Sequence, residues 1–226
     1  MRSTATVFVL AGVPIASLLS RVPQIRDVLN LNPRSLGLLL LMTAVGSLVS
    51  LPLSGSVVHR IGAARTVSVM AVVTPAGLAV VAVGTEVGKV MVGAGLFVLG
   101  FGAGQWDVAQ NVEGAAVEQR LGRSVMSRFH AAFSLGTVGG ALVGAAMNAL
   151  DIDPLPHLLF VAIVVAVVGQ VATRGFLPAG EDALIFPAGE MWSVVIESRN
   201  KPMIRASTIS STGLGSFSMF WKYGGF

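Results

Sequence analysis

From Gly100 to Glu113 the chain reads Gly-Phe-Gly-Ala-Gly-Gln-Trp-Asp-Val-Ala-Gln-Asn-Val-Glu, at the end of a long apolar run. Gly100, Gly104, Asp107, Asn111 and Gly114 recur at helical spacing, so they share one face, with Gln110 beside it. The face offers small residues for close helix contact, then a carboxylate and an amide. An ionisable group inside a bilayer costs about 2.5–3.5 kcal/mol at a helix centre, so its presence marks a functional candidate. Such a stripe suits a helix lining a water-filled cavity, with Asp107, Asn111, Gln110, Gln105 and Trp106 as candidates for a solute or proton site. The competing reading is that Asp107, roughly 25 Å along the run, is simply solvated at its end. Glu113 falls beyond the apolar core. His130 opens the next apolar run at the level where Asp107 closes its own, and the two would make a titratable couple near neutral pH.

Other constellations are weaker. Asp151, Asp153 and His157 have spacing that would suit a metal, but a polar turn with Asp153 capping the next helix is the favoured reading. With no cysteine there is no disulfide framework, thiolate site or Cys nucleophile. The Asp107 run contains no serine for an intramembrane protease, and no glycine run has the form of a nucleotide loop. The sequence therefore predicts no enzyme, no cofactor and no metal.

The elements that must position these residues follow from composition. Charged residues are 12% of the 226, and hydrophobic residues are 54% before 27 glycines are counted. Mean hydropathy is +0.79. A soluble globule lacks polar cover at these values, which excludes a cytosolic enzyme, a disordered chain and a nucleic-acid binder. The pI of about 10.3 rests on a net charge of only +4, as expected for Lys and Arg serving as orientation signals.

Six apolar runs are long enough to be read as spans: Thr4–Leu19, Leu36–Val58, Thr66–Val83, Val90–Ala109, Phe129–Leu150 and Leu155–Val171. No Ala-x-Ala-like site follows the first, so it reads as a helix and not as a signal. Asn32-Pro33 and Asp153-Pro154 are helix starts with proline at the first helical position. Gly62 and Gly84 mark ends, and Pro75 is expected to kink the third span. With both termini cytoplasmic, 11 Lys and Arg lie inside against 4 outside, namely Arg21, Arg26, Arg34 and Lys89. Gly136, Gly140 and Gly144 form a small-residue ridge for helix packing. Residues 1–175 are read as the bundle. Residues 176–226, mixed and rich in Ser, Thr and Gly, are read as a poorly ordered cytoplasmic tail.

The loop Gly55-Ser-Val-Val-His59-Arg60-Ile-Gly62-Ala-Ala-Arg65 resembles the signature loop of the major facilitator superfamily, Gly-x-x-x-Asp-Arg-x-Gly-Arg-Arg. His59 stands where the family has its acid, and Arg65 lies one place beyond the usual basic pair. Gly104, Asp107, Ala109 and Asn111 resemble the Gly-x-x-acid-x-Ala-x-Asn pattern of the sugar-permease-like branch, which includes the fucose permease. That branch's second carboxylate, in the first span, corresponds here to Leu19.

The resemblance covers residues about 5–175. It implies an all-α polytopic fold, six transmembrane helices forming the N-terminal half of a transporter in the inner (plasma) membrane. Gly55, His59, Arg60, Gly62 and Arg65 would form the cytoplasmic gate loop, and a small solute, a sugar or another metabolite, would move by alternating access. The partners it implies are the lipid bilayer, the solute, and either the missing C-terminal half or a second copy of the chain. In this reading the chain is a truncated transporter, and the alternative is a non-transporting membrane remnant or a partner-binding membrane subunit.

Overall fold

The computed structural model describes residues 1–176, and among these every regular element is a helix: α1 (Arg2–Val28), α2 (Pro33–Ile61), α3 (Ala63–Val87), α4 (Lys89–Leu121), α5 (Met126–Ala149) and α6 (Pro154–Thr173). Over these residues the chain is an all-helical, multi-pass membrane protein. The expected tail lies, from residue 177 on, outside the described residues.

Local chemistry sets the boundaries. Asn32 opens α2 with its Oδ1 accepting the Ser35 N–H at 2.9 Å, and Pro33 follows where a missing N–H costs nothing. Gly62 (φ 83°) and Gly88 (φ 139°) separate α2, α3 and α4, in backbone conformations that favour glycine. Gly84, expected to end the third span, instead lies inside α3, packed against Val92 of α4.

Two helices outrun their apolar segments. α1 continues through Arg21 and Pro23 to Val28, and α4 continues through Asp107 and Glu113 to Leu121. Counting apolar residues stops at the first polar cluster, whereas the backbone ladder does not. Five of the six helices are long and apolar enough to cross a membrane. The exception to the expected six is α4, which is 33 residues long but carries Gln105, Asp107, Gln110, Asn111 and Glu113 in its second half.

Packing divides the helices into two kinds. α1, α3, α4 and α6 supply the apolar core, including Val7, Leu18, Val67, Leu78, Leu99, Leu158 and Val165. α2 and α5 attach to it through small residues. The buried residues of α2 are Gly46, Ser50 and Ser54, and those of α5 are Phe129, Gly136, Gly140 and Gly144. The attachments are parallel and in register. Gly100 and Gly104 of α4 meet Thr43 and Ser47 of α2, while Gly136 and Gly140 of α5 meet Val9 and Val13 of α1. A Cβ at Gly12 of α1 would stand 2.6 Å from the Phe133 carbonyl oxygen, so the backbones touch. In a membrane, where lipid is as apolar as leucine, such close approach substitutes for hydrophobic burial as the source of helix affinity. α3 runs antiparallel to α4, with Gly77 against Leu99 and Gly95 against Val81. α6 packs on α3 and α1. Exchanging the first three helices for the last three therefore maps the pair α1–α5 onto α4–α2.

Candidate functional site

A cavity of about 340 Å³ opens among α1 to α5. Pro14 and Ile15 come from α1, Ser47 and Leu51 from α2, Thr74 from α3, Phe133 from α5, and Trp106, Asp107 and Gln110 from α4. The five helices converge here because the glycine crossings bring α2 and α5 onto α4 and α1.

Asp107 is exposed. Its Oδ1 accepts from Gln110 Nε2 and Asn111 Nδ2, each at 3.3 Å, and Asn111 also donates to the Asp107 carbonyl at 2.8 Å. These are one-turn contacts on the same helix, and among the described residues no ion pair from another helix neutralises the carboxylate. Thr74 Oγ1, Trp106 Nε1 and Gln110 Oε1 are buried without a hydrogen-bond partner, and all three belong to the cavity wall. Proteins leave few buried polar groups unpaired. A cluster of three around one cavity is an arrangement that a polar solute or water would complete.

The other sequence candidates fall elsewhere. Gln105 is buried at the α4–α2 crossing, where its Nε2 donates to the Ser50 carbonyl at 3.0 Å, and it does not line the cavity. His130 is exposed and meets the Phe8 ring edge-on, 5.7 Å between centroids. It makes no hydrogen bond with Asp107, so the expected couple is not formed: the side chains lie on α5 and α4, which barely touch. Glu113 is 2% exposed, inside the bundle and not beyond it. Gly55, His59, Arg60, Gly62 and Arg65 form the α2–α3 junction, where a Cβ at Gly55 would meet nothing within 4 Å. Thr74, Ser47, Pro14 and Phe133 went unnoticed in the sequence. Only the neighbouring Pro75 had signalled anything on α3.

At the α4–α5 turn Glu118 accepts the Val125 and Met126 N–H groups, both at 2.7 Å, and the Ser124 hydroxyl at 3.3 Å. Those bonds, Val125 first, hold its carboxyl below its ordinary value of 4.5. The carboxylate of one helix thus caps the next.

The opposite end of the bundle holds a second polar cluster. Arg21, expected in a loop, is fully buried within α1. Its Nε donates to His157 Nδ1 at 3.0 Å, one terminal nitrogen to Gln24 Oε1, and the other to the Ile152 carbonyl at 2.7 Å. His157 is therefore buried, with Arg21 and not Asp151 or Asp153 as its hydrogen-bond partner. Among the described residues no group of His, Cys, Asp or Glu could hold a metal. Asp153 stands at the N-cap of α6 without a side-chain cap bond.

No family model matches the chain. Over 164 residues, 73% of this chain, it is 32% identical to the uncharacterized transporter y4wD of Sinorhizobium fredii, covering 43% of that protein. Over 192 residues, 83% of this chain, it is 29% identical to an uncharacterized MFS-type transporter of Yersinia pestis, covering 50% of it. Over 135 residues it is 26% identical to the membrane protein MosC of Rhizobium meliloti, covering 33% of it. The chain thus spans half or less of the length of the curated relatives it matches.

Proposed function

We propose that the six helices form one half of a major facilitator transporter of the sugar-permease-like branch. They move a small solute by rocking against a complementary six-helix bundle, supplied by the rest of a longer chain or by a second copy. The observation that carries this reading is the cavity of about 340 Å³ with Asp107 in its wall and three unpaired buried polar groups around it. Binding at the interface of two repeats, at mid-membrane, is how such transporters work.

The relatives' printed names support transport, and their length supports a second bundle. The exposed apolar faces of α2 and α5, including Leu48, Leu51, Leu135 and Leu142, support the same reading. In it Asp107 binds the solute or a coupling proton, and Gln110, Trp106 and Thr74 orient the solute. Gly55, Arg60, Gly62 and Arg65 line the seam with the other half, on the cytoplasmic side of the inner membrane together with both ends of the bundle. Gly55 faces open space in this bundle, which supports a contact made with another.

The test is uptake into proteoliposomes of a panel of radiolabelled sugars, polyols and small metabolites under an imposed pH gradient, with the protein reconstituted alone and with a complementary half. Asp107→Asn is expected to abolish pH-driven uptake. Uptake equal to that of the native protein removes Asp107 from the mechanism.

A further inference from the structure

The Arg21–His157 cluster lies away from the cavity and takes no part in the function proposed above. An arginine that is 0% exposed and a histidine that is 3% exposed join α1, α6 and the α5–α6 turn at one point. The chemistry of that joint depends on the proton count of His157. The guanidinium has only donors, so Nδ1 must accept, and the ring must be neutral with its proton on Nε2. That nitrogen is itself buried without a partner. Protonating Nδ1 removes the acceptor and sets two cations 3.0 Å apart in a sealed site.

The surrounding groups offer little compensation. From α1 the ring's hydrogen-bond partner is Arg21, and Ser20 lies beside it against Gly144. From α5 it meets Gly144, where a Cβ would stand 3.4 Å from the ring Cε1. The turn carries Asp151 and Asp153, both exposed, with Asp153 acting electrostatically on Arg21. α3, packed along α6, carries Glu86 in its last turn, exposed and accepting from Thr85 Oγ1 at 3.5 Å. Among the described residues no carboxylate pairs with His157.

We propose that His157 is a proton-sensing group whose protonation releases Arg21 and loosens α1 from α6 and the α5–α6 turn at that end of the bundle. The joint is closed while Nδ1 is free to accept from Arg21 and opens when that nitrogen takes a proton. Arg21 is the positioning residue.

The chain has no cysteine, so two can be introduced cleanly. Val28→Cys and Leu150→Cys, both exposed, place spin labels at the end of α1 and just past α5. In the full chain in mild detergent, the label separation is expected to be single and narrow at pH 8. It is expected to shift outward and broaden as the pH is lowered from there. His157→Gln keeps an acceptor for Arg21 without the titration, and its separation is expected to stay as at pH 8 throughout. An unchanged separation in the native chain, or the same change in the Gln variant, overturns the proposal. If the Gln variant does not fold, the ¹⁵N resonances of native His157 decide. An imidazolium that forms over the same pH interval as the separation change supports the sensor, and a ring still neutral after that change overturns it.

Discussion

The two polar clusters of this bundle are opposites in construction. At the cavity, Asp107 is exposed and held only by Gln110 and Asn111 from its own helix, while three wall residues keep an unpaired polar atom. At the far end, Arg21 is buried with its Nε and both terminal nitrogens engaged, two of them by partners more than 130 residues away. A charge whose partners all come from one turn is free to exchange them for a solute. A charge whose partners come from three elements fixes those elements. The difference shows that a charge within a membrane bundle is not by itself a sign of a transport site. What separates the two cases is whether the protein has already satisfied it.

The largest effect on stability should come from the closed cluster. Arg21→Ala leaves His157 Nδ1 and the Ile152 carbonyl unpaired and opens a void, so unfolding in detergent should become easier by about 4 kcal/mol. An equal loss for Asp107→Asn would erase the distinction between the clusters, because only Arg21 carries structure in this account.

Next come the crossings that hold the cavity walls together. A side chain at Gly100 would overlap the Thr43 carbonyl, so Gly100→Leu should destabilise by about 3 kcal/mol. Gly55→Ala meets nothing in this bundle and should stabilise the isolated chain by about 0.5–1 kcal/mol. Both are read from the thermal midpoint. If Gly55 serves a contact with another half, the same alanine should lower uptake by the complete transporter.

The smallest effect is at Glu118. Its carboxyl titrates below 4.5 in the fold, so its contribution is full above that value and fades as pH falls through the lowered one. Glu118→Gln should remove that pH dependence. It should also speed hydrogen exchange at the Val125 and Met126 amides, while moving the unfolding midpoint by less than about 2 °C.

Much of the helical plan was legible because apolar length and Asn-Pro or glycine punctuation are local signals. The Asp107 face was legible for the same reason, as its members lie within two turns of one helix. What escaped the sequence was contributed across helices. Thr74 and Ser47 look like ordinary small residues until α3 and α2 cross α4. Arg21 looked like a loop charge because its partners, His157 and the Ile152 carbonyl, are remote in sequence. His157 was grouped with Asp151 and Asp153 in a polar turn by proximity along the chain, yet its partner comes from α1. The same limit explains Glu113, whose inward direction depends on which face of α4 the bundle buries.

The central claim is that the Asp107 face opens to water through the cavity while the α1 seam leading to Arg21 is sealed. The measurement that tests it most directly is labelling of single cysteines in membrane vesicles with a charged, membrane-impermeant thiol reagent. Asp107→Cys is compared with Ser17→Cys, one turn from Arg21 and fully buried. The account predicts that the cysteine at 107 reacts as fast as one in an exposed turn and that the cysteine at 17 stays unreacted until the protein is unfolded. A protected cysteine at 107, or equal reaction at both positions, would contradict it.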